Sequence, residues 1–333
     1  MSSSPEPTPA ASPEFLAVFR AHMDARGEMP FAQFMELALY HPEVGYYRKS
    51  RKRVGYGPGT DFFTSGTSGA VFGELVAAAS AKLLRDAGRD PARHTFVEIG
   101  AEPESAGVLA GVAHPFAATR TIGIGEEIAL ADDCVVFSNE LFDAQPFKPT
   151  VFRNGVWHEM QVRLAAGLLE ESWCAQIPGA AEDPTPRPEG YRLDEPEAAR
   201  GLAAAIGKQP WRGLFIAIDY GKTRRELLAH TPQGTGRAYW RHTQSNDLLA
   251  RPGEQDLTCH ICWDWIEGEL RMRGFASLRL ESQEAFFIRH AGGYIAAASA
   301  ADAARDTPRK RSLQQLLHAS QLGQKFQVMH GVR

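Results

Sequence analysis

The sequence predicts an α/β fold in which a doubly wound, mostly parallel sheet carries helices on both faces. Three observations lead there. Short apolar runs recur along the chain, at Thr95-Phe-Val-Glu-Ile-Gly100, Cys134-Val-Val-Phe-Ser138 and Gly213-Leu-Phe-Ile-Ala-Ile-Asp219, as expected of strands covered on both sides. Each closes on glycine or a polar residue and gives way to loop and helix-like sequence, the alternation of parallel-strand crossovers. The composition, 44% hydrophobic and 23% charged over 333 residues, supplies apolar mass for one large core.

Taken in order, the Ser/Pro/Glu-rich start from Met1 to Glu14 reads as a disordered tail, without the basic and apolar stretches of a signal peptide. Residues 15–333 then read as a single domain, an N-terminal helical region over 15–94 and an α/β core over 95–333 with insertions. Helical spacing marks Phe15 to Met23 and Phe31 to Tyr40, with Pro30 where a helix start tolerates proline. His41 to Gly69 is a Gly/Pro/aromatic-rich loop. Its basic cluster, Arg48, Lys49, Arg51, Lys52 and Arg53, reads as a solvated surface, with an anchor for an acidic partner as the other reading. Good helix formers run from Ala70 to Ala87 until Gly88 and Pro91 stop them. A further helix is expected over Glu104 to Val112, a strand over Arg120 to Ile124, a Pro-rich surface connection over Ile177 to Gly190 and a helix over Glu197 to Lys208.

The bulk numbers also exclude partners. A net charge of −4 and a pI near 6.3 lack the dense positive field that coats phosphates, so no nucleic acid is expected. No stretch approaches the roughly 20 apolar residues of a membrane span, and a cytoplasmic protein is expected. Cys134, Cys174, Cys259 and Cys262 are too few and scattered for a disulfide framework. Cys259 and Cys262 flank His260 and Ile261, yet no second closely spaced ligand pair completes a zinc site, so no metal is expected and the thiols read as buried ones.

Ligands of open parallel sheets sit beyond the carboxyl ends of the strands, where loops diverge and backbone amides point inward. Three strand ends are therefore candidates: Glu98 to Gly100, Asn139 to Phe147, and Asp219 to Gly221. Gly100 would let a nucleotide-like ligand approach the backbone, with Glu98 beside it as an acceptor. Asn139, Glu140 and Asp143 crowd two carboxylates and an amide into one loop. On one helical turn, Glu140 and Asp143 would face the same side and clamp a cation. The plainer reading has Asn139 and Asp143 capping a following helix, and Asp219 serving as a turn residue.

Several motifs carry a resemblance. Phe34-Met-Glu-Leu-Ala-Leu-Tyr-His-Pro-Glu-Val-Gly-Tyr-Tyr47, Asp61-Phe-Phe-Thr-Ser65, Phe72-Gly-Glu-Leu75, Val97-Glu-Ile-Gly100, Asn139-Glu-Leu-Phe-Asp-Ala-Gln-Pro146, Asp219-Tyr-Gly221, Arg251-Pro-Gly-Glu-Gln-Asp-Leu-Thr-Cys-His260 and Leu322-Gly-Gln-Lys-Phe326 follow one another along the chain. In that order they resemble the MidA family of methyltransferases, related to the mitochondrial complex I assembly methyltransferase. The resemblance implies a class I, Rossmann-like methyltransferase fold, S-adenosyl-L-methionine as donor and an arginine-bearing protein as acceptor. It also implies catalytic roles for Asn139, Glu140, Asp143 and His260, and cofactor contacts for Glu98, Gly100, Glu126, Asp61 and Thr64. From the residues alone, His260 reads as core, interleaved with Ile261, Trp263 and Trp265.

Two departures from the family pattern stand out. Its glycine loop, approximately E-x-G-P-G-x-G, is here Glu98-Ile-Gly-Ala-Glu-Pro-Glu-Ser-Ala-Gly107, with side chains and a proline ring where backbone is needed. The T-S-P-E segment becomes Thr64-Ser-Gly-Thr-Ser68. Glu98 and Asn139 stand 41 positions apart. At roughly 5 residues a strand and 11 a helix, that interval is one strand-helix unit too short. If Arg120 to Ile124 is the second strand, Glu126 sits where an acid holds ribose hydroxyls; if it is the third, that acid is gone. An active methyltransferase and a catalytically silent binding or assembly protein on the same fold are the two readings.

Overall fold

The computed structural model describes residues 11–49, 53, 55, 60–61, 69–101, 105–174 and 187–333. The chain divides into two compact units, one of residues 1–62, 144–199 and 222–262, the other of 63–143, 200–221 and 263–333. The segments expected as insertions in one core thus gather with the N-terminal helices into a unit of their own.

The second unit holds the parallel sheet. Its strands are β1 (Thr95–Ile99), β2 (Ala118–Ile122), β3 (Asp132–Asn139), β4 (Trp211–Asp219), β5 (Ala276–Ser282) and β6 (Gln327–Val332), in the order β2-β1-β3-β4-β6-β5. The first four run parallel, with Thr95 opposite both Ala118 and Cys134, and Asn139 opposite Ile218. β6 lies antiparallel to β4 and to β5. Alternation explains why these strands read as unbroken apolar runs. Phe96, Val135, Phe137, Leu214, Ile216 and Ile218 face one core, which the helices α1 (Ala70–Asp86), α4 (Gln283–His290), α5 (Gly292–Ala301) and α6 (Pro308–Leu317) cover with Phe72, Leu75, Phe286, Phe287, Leu313 and Leu316. Toward the other face, Trp211 and Phe215 pack on Phe275, and the Trp211 indole donates to the Ile206 carbonyl at 2.9 Å, near the end of α2 (Glu197–Lys208). Arg200 of α2 pairs with Glu269 of α3 (Trp263–Arg271).

The strand expected at Arg120 to Ile124 is β2. It pairs directly with β1, which makes it the second strand. Between β1 and β3 it is accompanied by no helix among the described residues. The helix expected over Glu104 to Val112 does not form in its described part. Residues 108–111 are a turn, and Gly107 and Gly111 adopt φ of +89° and +71°, a region helices do not visit.

The first unit is antiparallel. The strands Glu28–Pro30, Val156–Ala165, Lys148–Arg153 and Arg192–Glu195 lie side by side in that order, with Leu168–Trp173 also paired to Val156–Ala165. A three-stranded sheet comprises Thr243–Ser245, Arg237–Trp240 and Asp256–Thr258. The helices Pro13–His22 and Phe31–Tyr40 bury Phe15, Phe19, Phe31 and Phe34 in one core with Met160, Val162 and Leu257.

The expected tail ends early, because the Ser12 hydroxyl accepts from the Phe15 amide and starts the first helix at Pro13. Arg53 corrects the solvated reading of the basic cluster. It is buried, donates to the Tyr46 and Lys49 carbonyls and lies over the Tyr46 and Tyr47 rings at 5.6 and 5.4 Å. Lys49 pairs with Glu254, while Arg51 and Lys52 lie outside the described residues. No described helix is long and apolar enough to cross a membrane.

Candidate functional site

β1 lies between β2 and β3. The chain leaves β1 toward one side for β2 and continues on its other side with β3, so the carboxyl ends of β1 and β3 form the point where crossovers diverge. Gly100 stands at the first of these ends. Its amide donates to the Ile122 carbonyl at 2.9 Å and its φ is +82°. A Cβ there would lie 2.7 Å from Leu141 Cδ1, so the loop beyond β3 reaches over this glycine. Glu98 turns to the segment that follows. Its Oε2 accepts the Val108 amide at 2.6 Å, and burial pushes its carboxyl above the ordinary value against that bond. Gly107 closes the turn, since a Cβ there would come within 2.8 Å of Glu98 Oε2. Glu102 and Glu104 lie outside the described residues.

Beyond β2, Glu126 is exposed and folds back, its carboxylate accepting the Gly123 amide at 2.8 Å. Register sets Ile122 beside Ile99, so Gly100 and Gly123 leave adjacent strand ends.

At the end of β3, Asn139 donates its side-chain amide to Glu140 Oε1 at 3.0 Å, and Glu140 adopts φ of +51°. That left-handed residue breaks the backbone out of the strand. No helix follows before Lys148. The expectations of a helical turn carrying Glu140 and Asp143 on one side, and of caps by Asn139 and Asp143, are therefore both corrected. What shapes the loop is Asp219, fully buried at the end of β4. Its Oδ2 accepts the Phe142 and Asp143 amides at 2.9 and 3.3 Å, and its Oδ1 the Tyr220 amide at 2.9 Å. Burial, then the charge of Glu140, pushes its carboxyl up to about 8, against the amides that favour the anion. Asp143 is buried within this loop and Glu140 is half-buried.

Asp61 and His260 belong to the first unit. Asp61 is fully buried, with Oδ2 accepting the Tyr46 hydroxyl at 2.7 Å and Oδ1 the Arg241 amide at 2.9 Å. Its oxygens hold a loop together. The half-buried His260 donates its backbone amide to Thr235 Oγ1 at 3.2 Å. Burial, with the charges of Lys222 and Arg237, lowers its imidazole to about 4, so it is neutral at ordinary pH. Sequence reasoning missed Asp194, which is buried and accepts the Thr235 and Gly236 amides. It also missed the half-buried Tyr47, whose hydroxyl donates to Asp256 at 2.8 Å. Thr64 and the segment to Ser68 lie outside the described residues. Cys134, Cys259 and Cys262 are buried.

Residues 122–278, just under half the chain, match a family model described as "Putative S-adenosyl-L-methionine-dependent methyltransferase". No curated protein matches. Among solved structures, a COG1565 superfamily member from Burkholderia thailandensis bound to S-adenosyl-homocysteine is 24% identical, with a TM-score of 0.84 over 98% of this chain and 95% of that one. Another COG1565 superfamily structure from the same organism is 22% identical, with a TM-score of 0.79 over the same shares. The centre of the chain is thus similar to a family described as putative S-adenosyl-L-methionine-dependent methyltransferases, and nearly all of it shares the fold of these two structures.

Proposed function

We propose that the chain transfers a methyl group from S-adenosyl-L-methionine to an arginine of a protein partner. The observation that carries the reading is the convergence of Gly100, Glu126 and Asn139 at the ends of three neighbouring parallel strands, β1, β2 and β3. That is the position for a nucleoside ligand in such sheets, and the Burkholderia protein of the same fold holds S-adenosyl-homocysteine. The residues present fit such a group at two points. Gly100 adds no side chain of its own beside Leu141, and Glu126 offers an exposed carboxylate for hydroxyls beyond the neighbouring strand.

Bound there, the sulfonium cofactor supplies an electrophilic methyl group. The protein's share is alignment and exclusion of water. A guanidinium is always protonated and its lone pairs are delocalised. Glu140 and Asp143 would hold its charge toward the carboxylates and away from the attacking nitrogen, and the Asn139 amide would fix the Glu140 side chain. Asp219 holds the loop that carries both acids.

A second reading, a methyltransferase-like binding or assembly protein that has lost the cofactor, has its own support. The described part of the segment after β1 forms no helix, and the Val108 amide is taken by Glu98, so no helix N-terminus is offered to a ligand. Calorimetric titration with S-adenosyl-L-methionine separates the two. The enzyme reading expects heat from the natural chain that falls at least tenfold in affinity in Glu126→Ala and vanishes in Gly100→Val, together with radiolabelled methyl transfer to arginine-bearing peptides and none to their lysine counterparts. Silence from the natural chain sinks that reading in favour of the binding protein.

A further inference from the structure

Away from the parallel-strand ends, the antiparallel edge of the same unit gathers a second set of groups. Glu281 lies on β5 and His330 on β6. The register sets Arg279 opposite His330, so Glu281, two residues further, projects on the same face as that histidine. His290 is the last residue of α4, the helix that begins immediately after β5. Both imidazole Nε2 atoms converge on one carboxylate oxygen. Glu281 Oε1 is 2.9 Å from His330 Nε2 and 3.3 Å from His290 Nε2. The other oxygen, Oε2, pairs with Arg289. His290 and His330 are 7% and 4% exposed, their rings 5.1 Å apart, and Phe286 packs against both.

We infer that Glu281, His290 and His330 form a binding site for a divalent transition-metal ion of the zinc type. The three ligand atoms all lie within 4.8 Å of one another. A tetrahedral zinc ion holds nitrogen and oxygen ligands at ~2.0–2.1 Å, which places them roughly 3.3 Å apart, close to the two spacings present. Two imidazoles with one carboxylate suit zinc and its neighbours rather than magnesium or calcium, which prefer oxygen alone. The C-terminal end of α4 adds a partial negative charge at His290. Three protein ligands leave a fourth position for water, and an ion held by residues of α4, β5 and β6 would tie that helix to the strand pair.

The test uses the full chain, stripped with a chelator, and zinc chloride as the probe, with uptake read by competition against a chromophoric chelator. The natural chain is expected to take up one equivalent at this site and to melt at a higher temperature with zinc than without. His290→Gln/His330→Gln is expected to weaken uptake at least tenfold and to abolish the thermal shift. Cys259→Ser/Cys262→Ser should leave both unchanged. Glu281→Gln, close to the native side chain in size, repeats the test should the double variant fail to fold. Cobalt(II) supplies an independent readout, with ligand-field absorption and no thiolate charge-transfer band expected. Zinc uptake that survives loss of the histidines, a cobalt thiolate band, or no uptake by the natural chain would overturn the assignment.

Discussion

At the scale of single residues, the loop beyond β3 depends on one buried acid. Asp219 satisfies three backbone amides of a segment that has no regular structure to satisfy them itself. Asp219→Asn turns one acceptor into a donor facing those amides, which costs on the order of 1–3 kcal/mol. The sign of its pH dependence follows from the raised carboxyl. A folded value of about 8 against an ordinary 3.8 means that the folded chain holds a proton that the unfolded chain releases. This contribution to stability is fully present below about pH 4 and is lost as the pH climbs to 8. Urea titrations of both proteins should therefore show Asp219→Asn most costly near pH 5, with the gap closing toward pH 8. A gap that widens with pH would show that the amides, rather than burial, set the charge of this group.

At the scale of elements, β4 and the helices beside it are tied by the Arg333 side chain. Its guanidinium donates to the Gly207, Gln209 and Trp211 carbonyls and lies over the Trp211 and Phe275 rings at 5.2 and 5.3 Å. Arg333→Ala should lower unfolding free energy by about 2 kcal/mol in chemical denaturation, since it strands carbonyls at the end of α2 and the start of β4. Arg333→Lys should recover only part, lacking the planar fork. How far such elements can be read from sequence depends on what buries them. β1, β3 and β4 are legible because a strand covered on both faces must be apolar throughout, and the helices Phe31–Tyr40 and Glu197–Lys208 because their apolar spacing is unambiguous. The antiparallel strands between Lys148 and Trp173 were not read, although Asn154-Gly155 and Ala166-Gly167 each join two of them with both residues at positive φ. Asn-Gly between alternating stretches was the available signal. The Glu104 to Val112 helix failed for the opposite reason, because Gly107 and Gly111 outweighed the helix formers around them. The places of Gly100, Glu126 and Asn139 at or just beyond strand ends were legible because apolar runs lead into them. The networks of Asp61 and Glu281 join residues far apart in sequence, and no spacing announces them.

For the whole molecule, buried titratable groups decide how stability varies with pH, and the two classes oppose one another. Burial raises the acids Glu98, Asp194, Glu195 and Asp219 and lowers the bases His260, His290 and His330. Raised acids lose stability as pH rises, whereas depressed histidines lose it as pH falls, because the unfolded imidazole binds a proton that the folded one refuses. For His260 the window runs from the ordinary 6.5 down to about 4. Its contribution is whole above pH 6.5 and gone below pH 4, on the order of 2 kcal/mol after allowance for its partial exposure. His260→Gln, neutral at every pH, isolates that term. Its unfolding free energy, followed from pH 7.5 to 4.5, should fall less steeply than that of the natural chain by about this amount, even if the variant begins from a lower value. Parallel curves would mean that the imidazole binds its proton alike in the folded and unfolded chain, and the account of a ring held neutral by burial would fall.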